Sequence, residues 1–290
     1  MPQDKLHNIV GSALGPPSLK SAISDLQIHA PAVRVVHTVE NAPQFLICWE
    51  TIYNQIHLAM PASPPSILLI GASRGLGHAM AAEFLNKGWN VVGTVRGSNR
   101  TLLHELADKY SGRVEIESLD IAYPDQIAAL DKRLSGRIFD MLFVNAGTTN
   151  HDPTQTIGQV STEEFVRVMV TNSLSPMRVI ESLAHHVKPM GLIGVMSSGQ
   201  GSVTNNTFGQ REVYRGTKAA LNMFMRSFAA RQGSSHPMLV MAPGWVKTEL
   251  GGPDARLTIE DSIPNLVNVL LSKKEPGLEY LDYLGRTVPW

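Results

Sequence analysis

Residues 67–77 constrain the fold of this chain more than any other stretch. Ile67-Leu68-Leu69-Ile70 is a short aliphatic run, succeeded at once by Gly71-Ala72-Ser73-Arg74-Gly75-Leu76-Gly77 and by a segment over 75–87 that reads as a helix closed by Gly88. Three glycines between a buried strand and a helix let the backbone turn sharply, and they bring helix N-terminal amides within reach of a phosphate. The spacing is GxxxGxG rather than GxGxxG. Glycine-rich strand-to-helix turns also occur as plain tight turns, so the motif gains meaning only from the rest of the chain.

Downstream of Gly77, short apolar runs alternate regularly with amphipathic segments. Strands are predicted over 67–70, 90–95, 113–118, 139–144, 191–196, 237–241 and 278–283. Ser161 with Glu164 forms a capping box that opens a long helix over about 162–188, and a further helix covers 212–232. This order predicts an α/β fold: a Rossmann-type, doubly wound parallel sheet of about seven strands with helices on both faces.

Pro61-Ala62-Ser63-Pro64-Pro65 breaks the composition and marks a domain boundary. Residues 60–290 are read as one Rossmann-type domain. Residues 1–59 are read as an extension dispensable to it, or as a product of start-site choice at Met60. The extension has one helical pattern, with Phe45, Trp49, Ile52, Tyr53 and Ile56 on one face. A chain beginning at Met60 that failed to fold would sink that reading.

The global charge removes several function classes. Lys plus Arg and Asp plus Glu number 25 each, so no net field gathers nucleic acid or anionic lipid. Cys48 is the only cysteine; no intrachain disulfide is available, and a cytoplasmic location is expected. The first 30 residues lack an apolar core of the export type, and no run approaches the ~20 apolar residues that span a bilayer.

The end of the second strand selects the nucleotide. An acid there would bond an adenosine ribose 2′-hydroxyl and repel a 2′-phosphate. Here the residues are Thr94-Val95-Arg96. The Arg96 fork suits a phosphate, and Arg74 in the glycine loop could reach the same group, so NADP(H) is the expected cofactor. The plainer alternative is a pair of solvated surface arginines.

Tyr214 and Lys218 lie four apart on one face of the 212–232 helix. Tyrosine titrates at ~10 in water, and a neighbouring ammonium together with a cationic nicotinamide lowers that value, so Tyr214 could give a proton to a carbonyl oxygen as hydride arrives at carbon. Alone, YxxxK is commonly a surface pair. Context raises its weight: Asn145-Ala146-Gly147, Asn172, Ser197-Ser198, Tyr214/Lys218 and Pro243-Gly244 all come after the carboxyl ends of predicted strands or stand on adjoining helices. Ligands bind at those ends in an open parallel sheet.

On this motif set, residues 67–290 resemble the short-chain dehydrogenase/reductase family. The resemblance implies a catalytic set of Asn172, Ser198, Tyr214 and Lys218. Ser198 would orient the substrate carbonyl, Lys218 would hold the nicotinamide ribose, and the Asn172 main chain would hold a relay water. The implied cofactor contacts are Gly71, Ser73, Arg74, Gly75, Leu76, Gly77, Arg96, Asp120, Asn145, Ala146, Gly147, Tyr214, Lys218, Pro243, Gly244, Val246 and Thr248. Ser198 and Tyr214 are sixteen residues apart, more than in the commonest members, and Thr204–Gly209 between them should shape the substrate mouth. That spacing leaves the choice between Ser197 and Ser198 open. Together with Tyr214-Arg215 and the run from Leu281 to Trp290, it resembles the branch of C-factor and sniffer-type carbonyl reductases. The resemblance also implies a small carbonyl or alcohol substrate and a homodimer formed through the 162–188 and 212–232 helices.

Rival readings have weaker support. His185-His186 has no third ligand at helical spacing, so a polar helix face is expected and no metal site. Cys48 is expected to be a buried small hydrophobe. No GxSxG elbow supports a hydrolase. A catalytically silent NADP-binding signalling protein of the same fold is the main alternative, and an extended-type epimerase would need a substrate lobe for which the chain has no room.

Overall fold

The computed structural model describes residues 63–290 apart from Ser234. The extension, its helical pattern and Cys48 lie outside the described residues. Seven strands form one sheet: β1 (Ser66–Ile70), β2 (Asn90–Val95), β3 (Val114–Ser118), β4 (Phe139–Val144), β5 (Val187–Met196), β6 (Pro237–Ala242) and β7 (Gly277–Asp282). Their order is β3-β2-β1-β4-β5-β6-β7, and every pairing is parallel. The expected doubly wound α/β fold is what the chain adopts.

Seven helices cover the two faces: α1 (Gly75–Asn86), α2 (Leu102–Lys109), α3 (Pro124–Arg133), α4 (Thr162–Met169), α5 (Ser175–Leu183), α6 (Glu212–Gln232) and α7 (Ile259–Ser272). Alternate residues of each strand point to opposite faces. Leu68, Ile70, Leu142, Ile193 and Val240 meet α3, α5 and α6 through Leu130, Ile180 and Met225. Ile67, Leu69, Phe143, Leu239 and Met241 meet α1, α2 and α7 through Phe84, Leu103 and Leu266. Parallel strands covered on both faces need such near-continuous apolar runs.

The long helix expected over 162–188 is divided. A π-helical turn over Val170–Leu174 separates α4 from α5, a 3-10 turn comes next at Ala184–His186, and β5 begins at Val187. Pro176 stands in the first turn of α5 and has no N–H for the carbonyl four residues back, that of Asn172. Pro189 likewise disfavours helix at Lys188. β5 pairs with β4 at Val187, bulges outward, and resumes regular pairing at Leu192, so only its later part carries an uninterrupted strand signal. Helices α2, α3 and α7 are additions to the elements expected from the sequence; α7 does carry a capping box of Thr258 and Asp261.

Two strand turns converge at the centre of the sheet. The Ile70 carbonyl accepts from both Asn145 N at 2.9 Å and Ala146 N at 3.0 Å. Strand order reverses between β1 and β4, which opens a crevice above their carboxyl ends. Phe143 is fully buried at the middle of the sheet. Phe143→Ala is expected to cost about 3–5 kcal/mol through lost burial and a residual cavity, read as a lower urea midpoint at unchanged slope.

Candidate active site

The crevice continues into a cleft of about 920 Å³ whose lining includes Gly71, Arg96, Asn145, Ser198, Tyr214, Lys218 and Val246. Its floor is the glycine loop. Gly71 has φ +87°, and a Cβ there would stand 2.9 Å from Ala146; a Cβ on Gly77 would stand 2.0 Å from the Gly71 carbonyl oxygen. The Asn145 amide donates to that same oxygen at 2.8 Å, while Thr94 Oγ1 accepts from Gly71 N at 2.8 Å. No larger residue fits at Gly77 without moving backbone, so a main-chain cradle is left open at the start of α1.

At the β2 end, Arg96 is exposed and lines the cleft, as do Ser73, Leu76 and Arg74. Arg74 pairs with Glu249 at 2.7 Å, with both side chains largely exposed. Such a pair is weak and exchangeable, which leaves the Arg74 guanidinium available to a phosphate. Asp120 Oδ1 accepts from Ala122 N at 2.9 Å and so holds the turn after β3. On the opposite wall the Pro243 carbonyl accepts from Ser262 Oγ, Gly244 turns at φ +84°, and Thr248 Oγ1 accepts from Gly251 N at 3.0 Å. Val246 is buried beneath that loop. The donors present fit a dinucleotide bearing a 2′-phosphate: a main-chain cradle at one end of the cleft and guanidinium groups beside it.

The chemical end of the cleft is built on α6. Tyr214 and Lys218 face it together, 8% and 3% exposed. The Lys218 ammonium lies 5.8 Å from the Tyr214 ring centre and donates to the Met196 carbonyl at 2.9 Å. Ser198 lines the same cleft, near enough to the Tyr214 hydroxyl to favour its ionised form, and its Oγ accepts from Gln200 N at 3.1 Å. Ser197 turns the other way and donates to Asn222 Oδ1 at 2.6 Å inside the core. The geometry thus separates two serines that the spacing alone does not.

Asn172 is fully buried in the π turn. Its Oδ1 accepts from Thr148 N at 2.8 Å, and its Nδ2 donates to Thr148 O and to Thr217 Oγ1. The side chain is spent on holding the loop after β4 against α6. Thr217 and Asn222 are absent from the residues expected from sequence, although both share the α6 face with Tyr214 and Lys218 at helical spacing. Tyr280 in β7 is absent too, and it donates to the Ser198 carbonyl; no local signal marks that residue.

The lowering expected for Tyr214 depends on the ammonium together with a cationic nicotinamide; the protein's own groups act in the other direction. Burial pushes the Tyr214 hydroxyl above its ordinary value, with the nearby Ser198 side chain and the Arg211 charge opposing only in part. The ammonium was expected to lower it, but Lys218 is itself brought down to about 8 by burial. Both groups are driven toward their neutral forms.

His185 and His186 stand on a 3-10 turn rather than a helix face. His186 is buried, and both rings meet Asp131 of α3, at 3.2 and 2.8 Å. The third group absent at helical spacing is therefore supplied from another element. None of the three lines the cleft.

Residues 65–256 match the model of the short chain dehydrogenase family. The chain belongs to that family. The short-chain dehydrogenase is 67% identical to a protein of Burkholderia multivorans whose crystal structure, described as a short-chain dehydrogenase/reductase, carries bound NADP; the match has a TM-score of 0.78 and covers 78% of this chain and all of that one. It is 30% identical to a carbonyl reductase of Pseudomonas aeruginosa PAO1, also solved with NADP, at a TM-score of 0.72 over 79% of this chain and all of that one. The C-signal protein of Myxococcus xanthus is 33% identical over 156 residues, 52% of this chain and 92% of the relative.

The buried lysine has a measurable signature. Its folded pKa of about 8 lies below the unfolded 10.5, so the unfolded state binds more protons between these values and stability rises with pH there. Relative to Lys218→Met, the wild type should gain on the order of 3 kcal/mol between pH 8 and pH 10.5. Urea unfolding of both proteins across that range checks it. A constant difference would contradict the assigned burial of the charge.

Proposed function

We propose that this short-chain dehydrogenase is an NADP(H)-dependent carbonyl reductase with Tyr214 as general acid. The observation that carries the proposal is the buried Tyr214 with the Lys218 ammonium beside it and Ser198 in the same cleft, at the carboxyl ends of β4 and β5 next to the glycine cradle. NADPH, held by the glycine loop, Arg74, Arg96, Asp120, Asn145–Gly147 and the Pro243–Thr248 wall, supplies hydride to the carbonyl carbon when bound.

The protein's own groups manage the proton. Burial keeps Tyr214 protonated at neutral pH, so it enters reduction as a neutral donor. Ser198 donates to the same carbonyl oxygen and fixes its position. As the proton leaves, the Lys218 ammonium and the Arg211 guanidinium stabilise the phenolate. Reprotonation runs along the Lys218 amine toward Asn172, whose carbonyl gets no helical donor from Pro176 and can hold a water.

The C-signal relative keeps a silent signalling role in view as the alternative. The complete Asn172, Ser198, Tyr214 and Lys218 set favours turnover. A homodimer through α4, α5 and α6 is supported by exposed Val166, Leu174, Met223 and Phe224 on or beside those elements. Among the described residues no helix is long and apolar enough to cross a membrane, in keeping with the proposed cytoplasmic location.

Tyr214→Phe retains the ring but removes the transferable proton. NADPH binding, monitored by fluorescence, should survive, while reductase turnover falls by about 10² to 10⁴. Lys218→Met should impair both measurements. Near-native turnover in Tyr214→Phe would falsify the mechanism. Arg96→Asp tests the nucleotide separately: it removes a charge-assisted contact and introduces repulsion, so NADPH affinity should fall by ~10-fold or more while NADH affinity changes less. Equal losses for both nucleotides would place the 2′-phosphate elsewhere.

A further inference from the structure

We infer that Arg211 forms an anion subsite in the substrate cleft, and that the carbonyl substrate bears a carboxylate a few bonds from the reacting carbon. The inference rests on the reductase reading and deepens it by naming a substrate class.

The backbone before α6 is built at a cost. Gln210 and Arg211 are consecutive non-glycine residues with φ of 56° and 51°, a left-handed conformation that side chains with a Cβ disfavour. Arg215 Nε donates to the Gln210 carbonyl at 2.9 Å and clamps the turn. The result is a guanidinium placed 5.5 Å from the Tyr214 ring centre, on the wall of the cleft.

That guanidinium is underused. Arg211 Nε is buried and makes no hydrogen bond. Three other arginines lining the cleft have acidic partners, Arg74 with Glu249, Arg167 with Glu164 and Arg286 with Asp282, while Arg96, without one among the described residues, stands at the nucleotide end. Among the described residues Arg211 has none. Gln200 Oε1, which belongs to the same lining, is likewise buried without a partner. An enclosed Nε cannot itself meet a ligand, so the subsite rests on the guanidinium as a whole: a cation on the cleft lining, beside the proton donor and uncompensated by any carboxylate among the described residues.

The planar guanidinium fork fits a carboxylate with two parallel hydrogen bonds. Because the cation rests against the ring of the general acid, the carboxylate and the carbonyl oxygen must lie close together in the substrate. Short oxo acids meet that requirement. Trp245 and Leu250, which present exposed apolar surface on the same cleft, can take an aryl or alkyl body.

Phenylglyoxylate and its methyl ester are a matched probe pair. Arg211→Met also removes a charge that favours the Tyr214 phenolate, so turnover of both should fall. The acid-to-ester ratio of kcat/KM should fall by a further ~10- to 100-fold, the loss typical of one charge-assisted hydrogen-bond pair. Equal losses would mean that Arg211 acts on Tyr214 alone, and would overturn the subsite. Arg211→Gln, which keeps a polar stem, serves if Arg211→Met no longer binds NADPH. If the wild type reduces no carbonyl compound, the reductase reading fails, and titration of phenylglyoxylate into the NADP-loaded protein decides the subsite alone. Binding weakened ~10-fold or more in the Arg211 variant supports it, and unchanged or undetectable binding rules it out.

Discussion

The approach of α1 to the end of β1 is the contact on which the site depends. Gly77 passes so close to the Gly71 carbonyl that a side chain is excluded, and Asn145 from the neighbouring strand turn grips the same oxygen. One carbonyl thus joins the glycine loop to the β4 turn. The Ile70 carbonyl, which accepts from two amides of that turn, makes the same join one residue earlier. These bonds occupy the main-chain acceptors and leave the amides at the start of α1 facing outward, which is what an incoming phosphate needs.

The chemical end works by the opposite means, through groups denied full satisfaction. Tyr214 and Lys218 are nearly removed from solvent, and burial favours the neutral state of each. With the phenol held above its ordinary value and the amine below it, direct transfer from one to the other is uphill, and the phenolate needs stabilising charge nearby. Charge is then supplied only where it is needed, by a guanidinium against one side of the phenol ring and an ammonium near it. Support comes from a layer of ordinary hydrogen bonds: Tyr280 to the Ser198 carbonyl, Ser197 to Asn222, and Asn172 to Thr217.

Much of this was legible in the sequence because its signals are local. The strand-to-helix turn at Gly71–Gly77, the Tyr214/Lys218 spacing and the acid-free end of β2 each depend on a few consecutive residues. Where legibility failed, the cause was non-local or a competing local rule. The helix expected over 162–188 is interrupted in its middle, where Pro176 withdraws a backbone donor, and stops short of its end, where Pro189 disfavours helix at Lys188. Ser197 and Ser198 are indistinguishable in a string, since only the packing of Asn222 and Tyr280 shows which one enters the core. The orphaned Arg211 could not be recognised before its neighbours were known, because an arginine three residues before a tyrosine is commonplace. The burial that opposes ionisation of Tyr214 was hidden for the same reason: sequence reveals the charged neighbour, while burial is a property of the whole fold.

The strand order has a consequence for how such a molecule comes into being. All pairings are parallel, so no strand can pair with its successor through a short hairpin, and Ser66 must find Asp140, 74 residues away, to complete the sheet centre. Tyr280 reaches back 82 residues to Ser198. A chain interrupted before β7 would have most of the hydrophobic sheet and no finished reaction centre. Large loop-closure entropies of this kind slow folding and prolong the exposure of apolar strands. The nascent protein therefore passes through a sticky, inactive intermediate length, and its yield in a cell depends on how well that interval is shielded.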